Sequence, residues 1–231
     1  MYQLSYFPNN QNVNGVQAYD KEVDALNQHT KADKVYIVCS KEQLDENGSM
    51  KIFSMIDKLS AELSVASDNE TRKRLLMRRA IAHSVLRDFE AAISDFTYYI
   101  SLDDKNSLAY WQRAVCQAEM DEFNKAEGKG VLNIHSAEAD FSDAIRQNSN
   151  NAYIYYNRGN LHAGRNELSK AIDDYTIALR IDNRLAEAYY NRGIARAKSG
   201  NKQTAIQDLS KAGELGLYDA YSVIKRLNKS K

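Results

Sequence analysis

Two octapeptides, Ala152-Tyr-Ile-Tyr-Tyr-Asn-Arg-Gly159 and Ala186-Glu-Ala-Tyr-Tyr-Asn-Arg-Gly193, begin 34 residues apart and share their last five residues. A second match follows at the same offset, where Ala171-Ile-Asp-Asp-Tyr175 aligns with Ala205-Ile-Gln-Asp-Leu209. Weaker copies lie upstream, at Leu108-Ala-Tyr-Trp-Gln-Arg-Ala-Val115 and Leu76-Met-Arg-Arg-Ala80. Self-similarity at a period of this length predicts stacked repeats, because each unit buries its apolar face only against its neighbours.

These residues resemble the tetratricopeptide repeat (TPR), a helix-turn-helix unit of 34 residues. On this resemblance, units cover residues 73–106, 107–151, 152–185 and 186–219. Each unit has small residues at positions eight and twenty, where its two helices cross, and a bulky residue at position twenty-four that fills the adjacent space. These residues are Ala80, Ala114, Gly159 and Gly193; Ala92, Ala137, Ala171 and Ala205; and Phe96, Phe141, Tyr175 and Leu209. The resemblance implies an all-α fold, a right-handed α-solenoid of helix-turn-helix units.

The chain departs from the family pattern in three places, one of which is the arginine that replaces the usual large apolar residue at position seven of every unit. A proline near position thirty-two is missing from every unit, because the only proline is Pro8. Polar clusters at 103–106, 148–151 and 182–183 are expected to end the helices instead. The second unit is 45 residues long and carries about 11 extra residues around 127–135. That loop either carries binding specificity or prolongs a helix and packs locally through Val131, Leu132 and Ile134.

Opposite charges recur at two positions of the repeat. Position seven is arginine in all units and position twenty-three is aspartate in all units. The arginines are Arg79, Arg113, Arg158 and Arg192, and the aspartates are Asp95, Asp140, Asp174 and Asp208. We expect each arginine to pair with the aspartate of its own unit; a row of arginines that bind an anion is the alternative.

The repeat pattern fades towards both ends of the chain. Residues 1–50 are predicted to be irregular, although Lys34-Val-Tyr-Ile-Val-Cys39 has the composition of a strand, to which we assign no partner. Residues 51–72 are predicted to form a leading helix packed on the first unit. Residues 220–231 are predicted to form a C-terminal capping helix, because arrays need a cover for their last apolar face. This ending resembles that of TPR proteins from the Bacteroidetes group.

Composition and spacing exclude several classes of function. The 31 Lys and Arg residues equal the 31 Asp and Glu residues in number, so nucleic-acid binding is not expected. No apolar run reaches the length of about 18 residues needed to span a bilayer, so membrane insertion is not expected. The four histidines and two cysteines have no metal-binding or redox spacing, and no catalytic motif occurs, so we expect no metal, no cofactor and no enzyme activity. A signal peptide is not recognisable, which favours the cytoplasm; a periplasmic location would require an N-terminal signal that has been removed.

The family resemblance also implies where a partner would bind. In TPR proteins the concave surface is formed mainly by the first helix of each unit, at positions two, five, six, nine, twelve and thirteen. Carried over to this chain, those positions give Met77, Arg78, Trp111, Gln112, Tyr153, Tyr156, Asn157, Asn160, Glu187, Tyr190, Asn191 and Lys198. Their aromatic rings suit interface anchors and their asparagines suit a peptide backbone. The alternative is that these rings only pack against neighbouring helices.

We therefore expect an interaction scaffold or adaptor that holds a peptide or partner protein in the concave groove. The alternative is a structural subunit that packs permanently in a complex or self-associates. A third interpretation is the recognition segment of a larger enzyme. Some TPR proteins bind acidic C-terminal tails through a clamp of basic residues and asparagines, but Tyr156 occupies one of its lysine positions. Binding of chaperone tails is therefore not predicted.

Overall fold

The computed structural model describes residues 46–129 and 134–229. The sequence predictions for residues 1–45, including the strand composition at 34–39, and for residues 130–133 and 230–231 lie outside the described residues. The described part of the chain consists of ten α-helices and contains no strand. The helices are α1 (Glu46–Val65), α2 (Asn69–Val85), α3 (Phe89–Leu102), α4 (Ser107–Ala126), α5 (Ile134–Gln147), α6 (Ala152–Gly164), α7 (Leu168–Ile181), α8 (Ala186–Lys198), α9 (Lys202–Glu214) and α10 (Asp219–Lys229).

The chain divides into two compact units whose boundary falls inside α5. The N-terminal unit ends at Asp140 and the C-terminal unit begins at Phe141. Within the N-terminal unit, α1, α2, α3 and α4 pack each against the next. Within the C-terminal unit, the same is true of α6, α7, α8, α9 and α10. The all-α repeat fold predicted from the sequence is confirmed.

Polar residues begin the helices in place of the missing prolines. The side chain of Asp68 accepts a hydrogen bond from the Thr71 amide at 2.8 Å, which satisfies one of the free N–H groups at the start of α2. Asn106 and Asn151 cap α4 and α6 in the same way. Both asparagines belong to the polar clusters that the sequence marked as helix breaks. A cap of this kind contributes about 1 kcal/mol to helix stability.

The first helix of each repeat ends in a left-handed turn. Arg87, Asn166 and Gly200 have φ angles of 61°, 62° and 84° at equivalent positions. The amide that follows each of them donates to a carbonyl five residues earlier, for example from Asp88 to His83 at 3.0 Å. This pattern satisfies the last carbonyls of the helix and reverses the chain into the second helix. Gly128, with φ 71°, ends α4 in the same way.

The small residue at position eight is required by the bulky residue at position twenty-four. A Cβ atom built on Gly159 would lie 2.7 Å from the ring of Tyr175, and one built on Gly193 would lie 2.9 Å from Cγ of Leu209. Tyr175 and Leu209 are both fully buried. In the third and fourth repeats the two helices therefore approach each other closely because the first helix has no side chain at the crossing.

Several boundaries differ from those predicted from the sequence. The leading helix α1 starts at Glu46 and ends at Val65, whereas residues 51–72 were expected. Residues 69–72 belong to α2 because Asp68 caps a new helix there. The last helix, α10, begins at Asp219, one residue earlier than expected. The insertion in the second repeat is partly helical, since α4 has 20 residues whereas α6 has 13.

The predicted pairing of arginine with aspartate is confirmed in all four repeats. Arg158 donates to both carboxylate oxygens of Asp174, at 2.9 Å and 2.7 Å. Arg79, Arg113 and Arg192 make the same two-bond contact with Asp95, Asp140 and Asp208, at 2.6–2.9 Å. The aspartates are buried, and a paired guanidinium offsets the cost of burying their charge. The alternative, a row of arginines that bind an anion, is not supported, because each of these guanidinium groups is paired with a carboxylate.

Three of these arginines also reach the preceding helix. A further guanidinium nitrogen of Arg192 donates to the Thr176 hydroxyl at 3.1 Å, and Arg113 donates to Thr97 at 3.0 Å. Arg79 donates to Ser60 of α1 at 2.9 Å. Helix α1 thus supplies the hydroxyl that the second helix of a repeat supplies elsewhere. One arginine side chain therefore links its own repeat to the helix before it.

Helix α4 contains a carboxyl group with an unusual ionisation. Burial raises the pKa of Glu119 to about 7 from its ordinary value of 4.5, and the guanidinium of Arg87, 3.2 Å away, opposes this rise. Arg87 lies in the turn between α2 and α3. Between pH 4.5 and 7 the folded chain therefore holds a proton that the unfolded chain has released.

We expect Arg158→Ala to lower the free energy of unfolding by about 2–3 kcal/mol, because it leaves the Asp174 carboxylate buried without its partner. The double variant Arg158→Met/Asp174→Leu should lose much less, since it removes both charges. Urea unfolding followed by circular dichroism measures both. Arg180→Ala, an exposed change on α7, is the control. A loss for Arg158→Ala no larger than that for Arg180→Ala would contradict a structural role of the pair.

Glu119→Gln should stabilise the chain at pH 8 and leave its stability at pH 4.5 almost unchanged. In the parent chain, stability falls as the pH rises from 4.5 to 7, because the folded state resists ionisation of Glu119. The glutamine has no such dependence. We expect a gain of about 1–2 kcal/mol at pH 8, which allows for partial exposure of the carboxyl. Urea unfolding at both pH values tests this, with the exposed Glu214→Gln as the control; a gain of equal size at both would contradict it.

Candidate functional site

Three of the four predicted site residues of the N-terminal unit lie in its core. The side chains of Met77, Trp111 and Gln112 are buried, with exposed fractions of 5%, 5% and 4%. Arg78, which shares position six with Gln112, is half-buried. In this unit the residues at position five, Met77 and Trp111, are therefore core residues, as the alternative interpretation of the sequence proposed. Arg78 is the predicted side chain of this unit that solvent reaches.

The C-terminal unit holds the other eight predicted site residues, all on α6 and α8. Their exposure differs from residue to residue on both helices. Tyr156, Asn157, Asn160 and Asn191 are buried, whereas Tyr153, Glu187 and Tyr190 are half-buried and Lys198 is exposed. We call these eight residues the helix-A face of the C-terminal unit. Its buried middle is neutral and polar, and its charged residues lie at the more exposed positions.

A hydrogen-bond network joins α6, α7 and α8 at the middle of this face. The side-chain oxygen of Asn160 accepts a bond from the Tyr175 hydroxyl at 2.7 Å and one from the Asn191 amide at 2.8 Å. The Asn191 amide also lies 3.3 Å from the hydroxyl of Tyr156. Two predicted asparagines, one from each of two consecutive repeats, are thus brought together. The network holds the helices of the third and fourth repeats in register.

Tyr156 belongs to this hydrogen-bond network, and its side chain is buried. Its ring centroid lies 6.0 Å from that of Tyr175, with the planes tilted by 46°. Burial raises the pKa of the Tyr156 hydroxyl to about 12, while its bonds to Asn160 and Asn191 act in the opposite direction. The hydroxyl is therefore protonated and neutral throughout the physiological range.

Asn157 differs from the other asparagines of the face. Its side chain is fully buried, and neither its amide nitrogen nor its oxygen has a hydrogen-bond partner among residues 46–129 and 134–229. Leaving a buried polar group unpaired costs about 1–3 kcal/mol, and native structures contain few such groups. Asn157 was predicted as a site residue from its repeat position alone. The structure adds that its hydrogen-bonding capacity is unused.

Two pairs between a histidine and an acidic side chain were not predicted from the sequence. Nδ1 of His162 lies 2.7 Å from Oε2 of Glu167, and Nδ1 of His83 lies 3.0 Å from Oδ2 of Asp88. The spacing of five residues in both repeats was the available signal. Each pair joins the end of a first helix to the residue preceding the second helix. These contacts place the histidines at turns of the repeat.

Within residues 46–129 and 134–229, no group of three or more His, Cys, Asp or Glu side chains is arranged to hold a metal ion. Nor does any helix there combine the length and apolarity that a bilayer crossing requires.

Comparison with known proteins identifies the repeat. The family model described as TPR repeat matches residues 163–200. No curated protein matches the sequence of this chain.

Solved structures share the fold at low sequence identity. The crystal structure of MamA aligns with 77% of this chain and 98% of its own, at 21% identity and a TM-score of 0.62. YrrB aligns with 88% of this chain and 97% of its own, at 17% identity and a TM-score of 0.57. TTC0263, a thermophilic TPR protein of Thermus thermophilus, aligns with 78% and 94%, at 16% identity and a TM-score of 0.57.

The repeat model covers α7 and α8, and the second octapeptide with Arg192 and Gly193 lies within it. Residues 163–200 therefore match a tetratricopeptide repeat, and the described part of the chain has the all-α repeat fold of TPR proteins of known structure.

Proposed function

We propose that this protein is a non-catalytic adaptor that binds an extended peptide segment of a partner protein on the helix-A face of its C-terminal unit. The observation that carries the proposal is the polar interior of that face. Asn160 and Asn191 bond to each other within it, whereas the amide of Asn157, which can donate and accept hydrogen bonds, makes no bond to another described residue. Main-chain groups of an extended peptide require partners of this kind. One similar structure, YrrB, is described as a TPR protein with an unusual peptide-binding site.

The residues around the asparagines supply the other parts of an interface. Tyr190 is half-buried and packs beside α10, so part of its ring is available for contact. Aromatic rings of this kind frequently act as binding anchors. Glu187 and Lys198 carry opposite charges at the half-buried and exposed positions of α8. Charges at an interface margin tune partner choice and association rate more than affinity.

The N-terminal unit contributes less to this proposal. Met77 and Trp111 are in its core, so they support the fold rather than anchor a peptide. Arg78 is the predicted residue of that unit which a partner can reach. The alternative from the sequence, a subunit that self-associates or packs permanently in a complex, is an outcome of the experiment below.

Tyr190→Ala should weaken peptide binding about tenfold or more, because it removes a contact ring from the face. Peptides are first selected from a random linear display library of about a dozen residues on the immobilised full chain. Their dissociation constants are then measured by fluorescence polarisation for the parent chain and the variant. Tyr218→Ala, which removes a 66% exposed tyrosine that lies outside the face, should change binding less than twofold.

Two results would overturn the proposal. One is an equal loss of affinity in both tyrosine variants when circular dichroism shows that both are folded. The other is the selection of no peptide at all. If light scattering then shows a stable oligomer, the self-assembling subunit becomes the better account.

A further inference from the structure

Helix α10 is covered on one side only. Its buried residues, Ala220 and Val223, form a core cluster with Leu209 and Ala212 of α9. Within the described residues, α7, α8 and α9 each pack between two neighbouring helices, whereas α10 packs on α9 and on side chains of α8. The opposite side of α10 is therefore the place at which a further helix would continue the stack.

Four exposed residues share this open side. Tyr218, Tyr221, Lys225 and Lys229 follow one another at spacings of three, four and four residues, which places them on one ridge of the helix. The amide of Tyr221 donates to the carbonyl of Tyr218 at 3.1 Å, so Tyr218 belongs to the first turn. We call these four residues the outer ridge of α10.

The outer ridge combines two aromatic rings with positive charge. Tyr218 is 66% exposed and Tyr221 is 49% exposed, although burial of rings of this size is favourable. The lysines suit the negative end of the helix dipole, which accounts for their charge but not for the tyrosines. Neighbouring aromatic rings with charged groups at their margin are typical of surfaces that bind another protein.

The ring of Tyr221 is held in place by α9. A Cβ atom built on Gly213 would lie 2.5 Å from Cζ of Tyr221, so the ring rests directly on the α9 backbone. About half of the side chain still faces solvent. A ring that the fold has already positioned loses little conformational entropy when a partner covers it.

We infer that the outer ridge of α10 binds an acidic amphipathic helix of a partner protein. A helix suits this place because helices cover both sides of α7, α8 and α9. A row of residues four apart, such as Tyr221, Lys225 and Lys229, packs into the groove between two rows of another helix. An apolar stripe on that helix covers the tyrosines, and acidic residues beside the stripe pair with the lysines.

This surface is separate from the site of the proposed function. None of its four residues belongs to the helix-A face. A partner that uses both surfaces would offer an extended segment to the helix-A face and a helix to α10. Two linked contacts of this kind raise the apparent affinity because the second one forms within the same complex.

The probe for this surface is a synthetic helix of about 18 residues, long enough to be helical in water, with leucine on one face and glutamate on both flanks. Fluorescence polarisation measures its dissociation constant on the full chain. Tyr218→Ala should weaken binding about tenfold or more, because it removes a contact ring. Lys225→Glu/Lys229→Glu should weaken it at least as much, because attraction becomes repulsion. Circular dichroism should show both variants folded, since the three side chains are exposed.

A second probe, in which lysine replaces each glutamate, is the matched control. It should bind the parent chain about tenfold more weakly than the glutamate probe. On Lys225→Glu/Lys229→Glu the order of the two probes should reverse. Peptides selected for the helix-A face should not displace the glutamate probe.

Several outcomes would overturn the inference while leaving the proposed function intact. The first is no binding of the glutamate probe by the parent chain at about 200 µM, which is weaker than a specific helix contact. The second is equal binding of that probe by the parent chain and both variants. The third is its displacement by peptides of the helix-A face.

Two other occupants are distinguished by separate measurements on the parent chain. Light scattering that shows a dimer abolished by Tyr218→Ala would identify a second copy of this chain as the occupant. Sedimentation with vesicles of phosphatidylcholine and phosphatidylserine, lost in Lys225→Glu/Lys229→Glu, would identify an anionic membrane surface. Either result, without binding of the glutamate probe, would overturn the choice of an acidic helix.

Discussion

The contact on which the rest of this fold depends is the two-bond pair between an arginine at position seven and an aspartate at position twenty-three. In the fourth repeat, Arg192 holds both oxygens of Asp208 and reaches Thr176 of the preceding repeat. The pair lies directly beside the residues that cross at positions eight and twenty-four. A polar contact therefore fixes the alignment that the apolar crossing requires. Non-directional apolar burial alone would permit small slips between helices, whereas a planar guanidinium on a carboxylate does not.

Much of this architecture could be predicted because the repeat multiplies each weak signal. One small residue or one Arg–Asp pair means little, but Arg79, Arg113, Arg158 and Arg192 at one position predict a contact, and the structure has it four times. Boundaries were predicted less well. Asp68 lies four residues before the repeat position at which Asn106 and Asn151 cap their helices, so the alignment of the repeats did not mark it. The extension of α4 is likewise unique to the second repeat, where the alignment offered no guide.

At the candidate site, the position of a residue in the repeat did not predict whether its side chain is buried. Equivalent positions of a repeat share direction on the helix, but their burial depends on the neighbouring helices. Trp111 and Tyr190 both occupy position five, yet the first is in the core and the second is half-buried. Asn157 and Asn191 both occupy position six, yet in the described part of the chain only Asn191 makes side-chain hydrogen bonds, to Asn160 and Tyr156. Distances across helices decide such differences, and these appear only when the chain is folded.

The matched sizes at the helix crossing have a consequence for how such proteins diversify. Gly159 accommodates the ring of Tyr175, whereas the first repeat combines Ala80 with Phe96. A first helix that brought an alanine to the position of Gly159 would place a methyl carbon 2.7 Å from the Tyr175 ring. Recombination between repeats is therefore tolerated when a whole helix pair is exchanged, and penalised when the breakpoint falls in the turn between its two helices. The heritable module is the pair, and gene duplication should copy it intact.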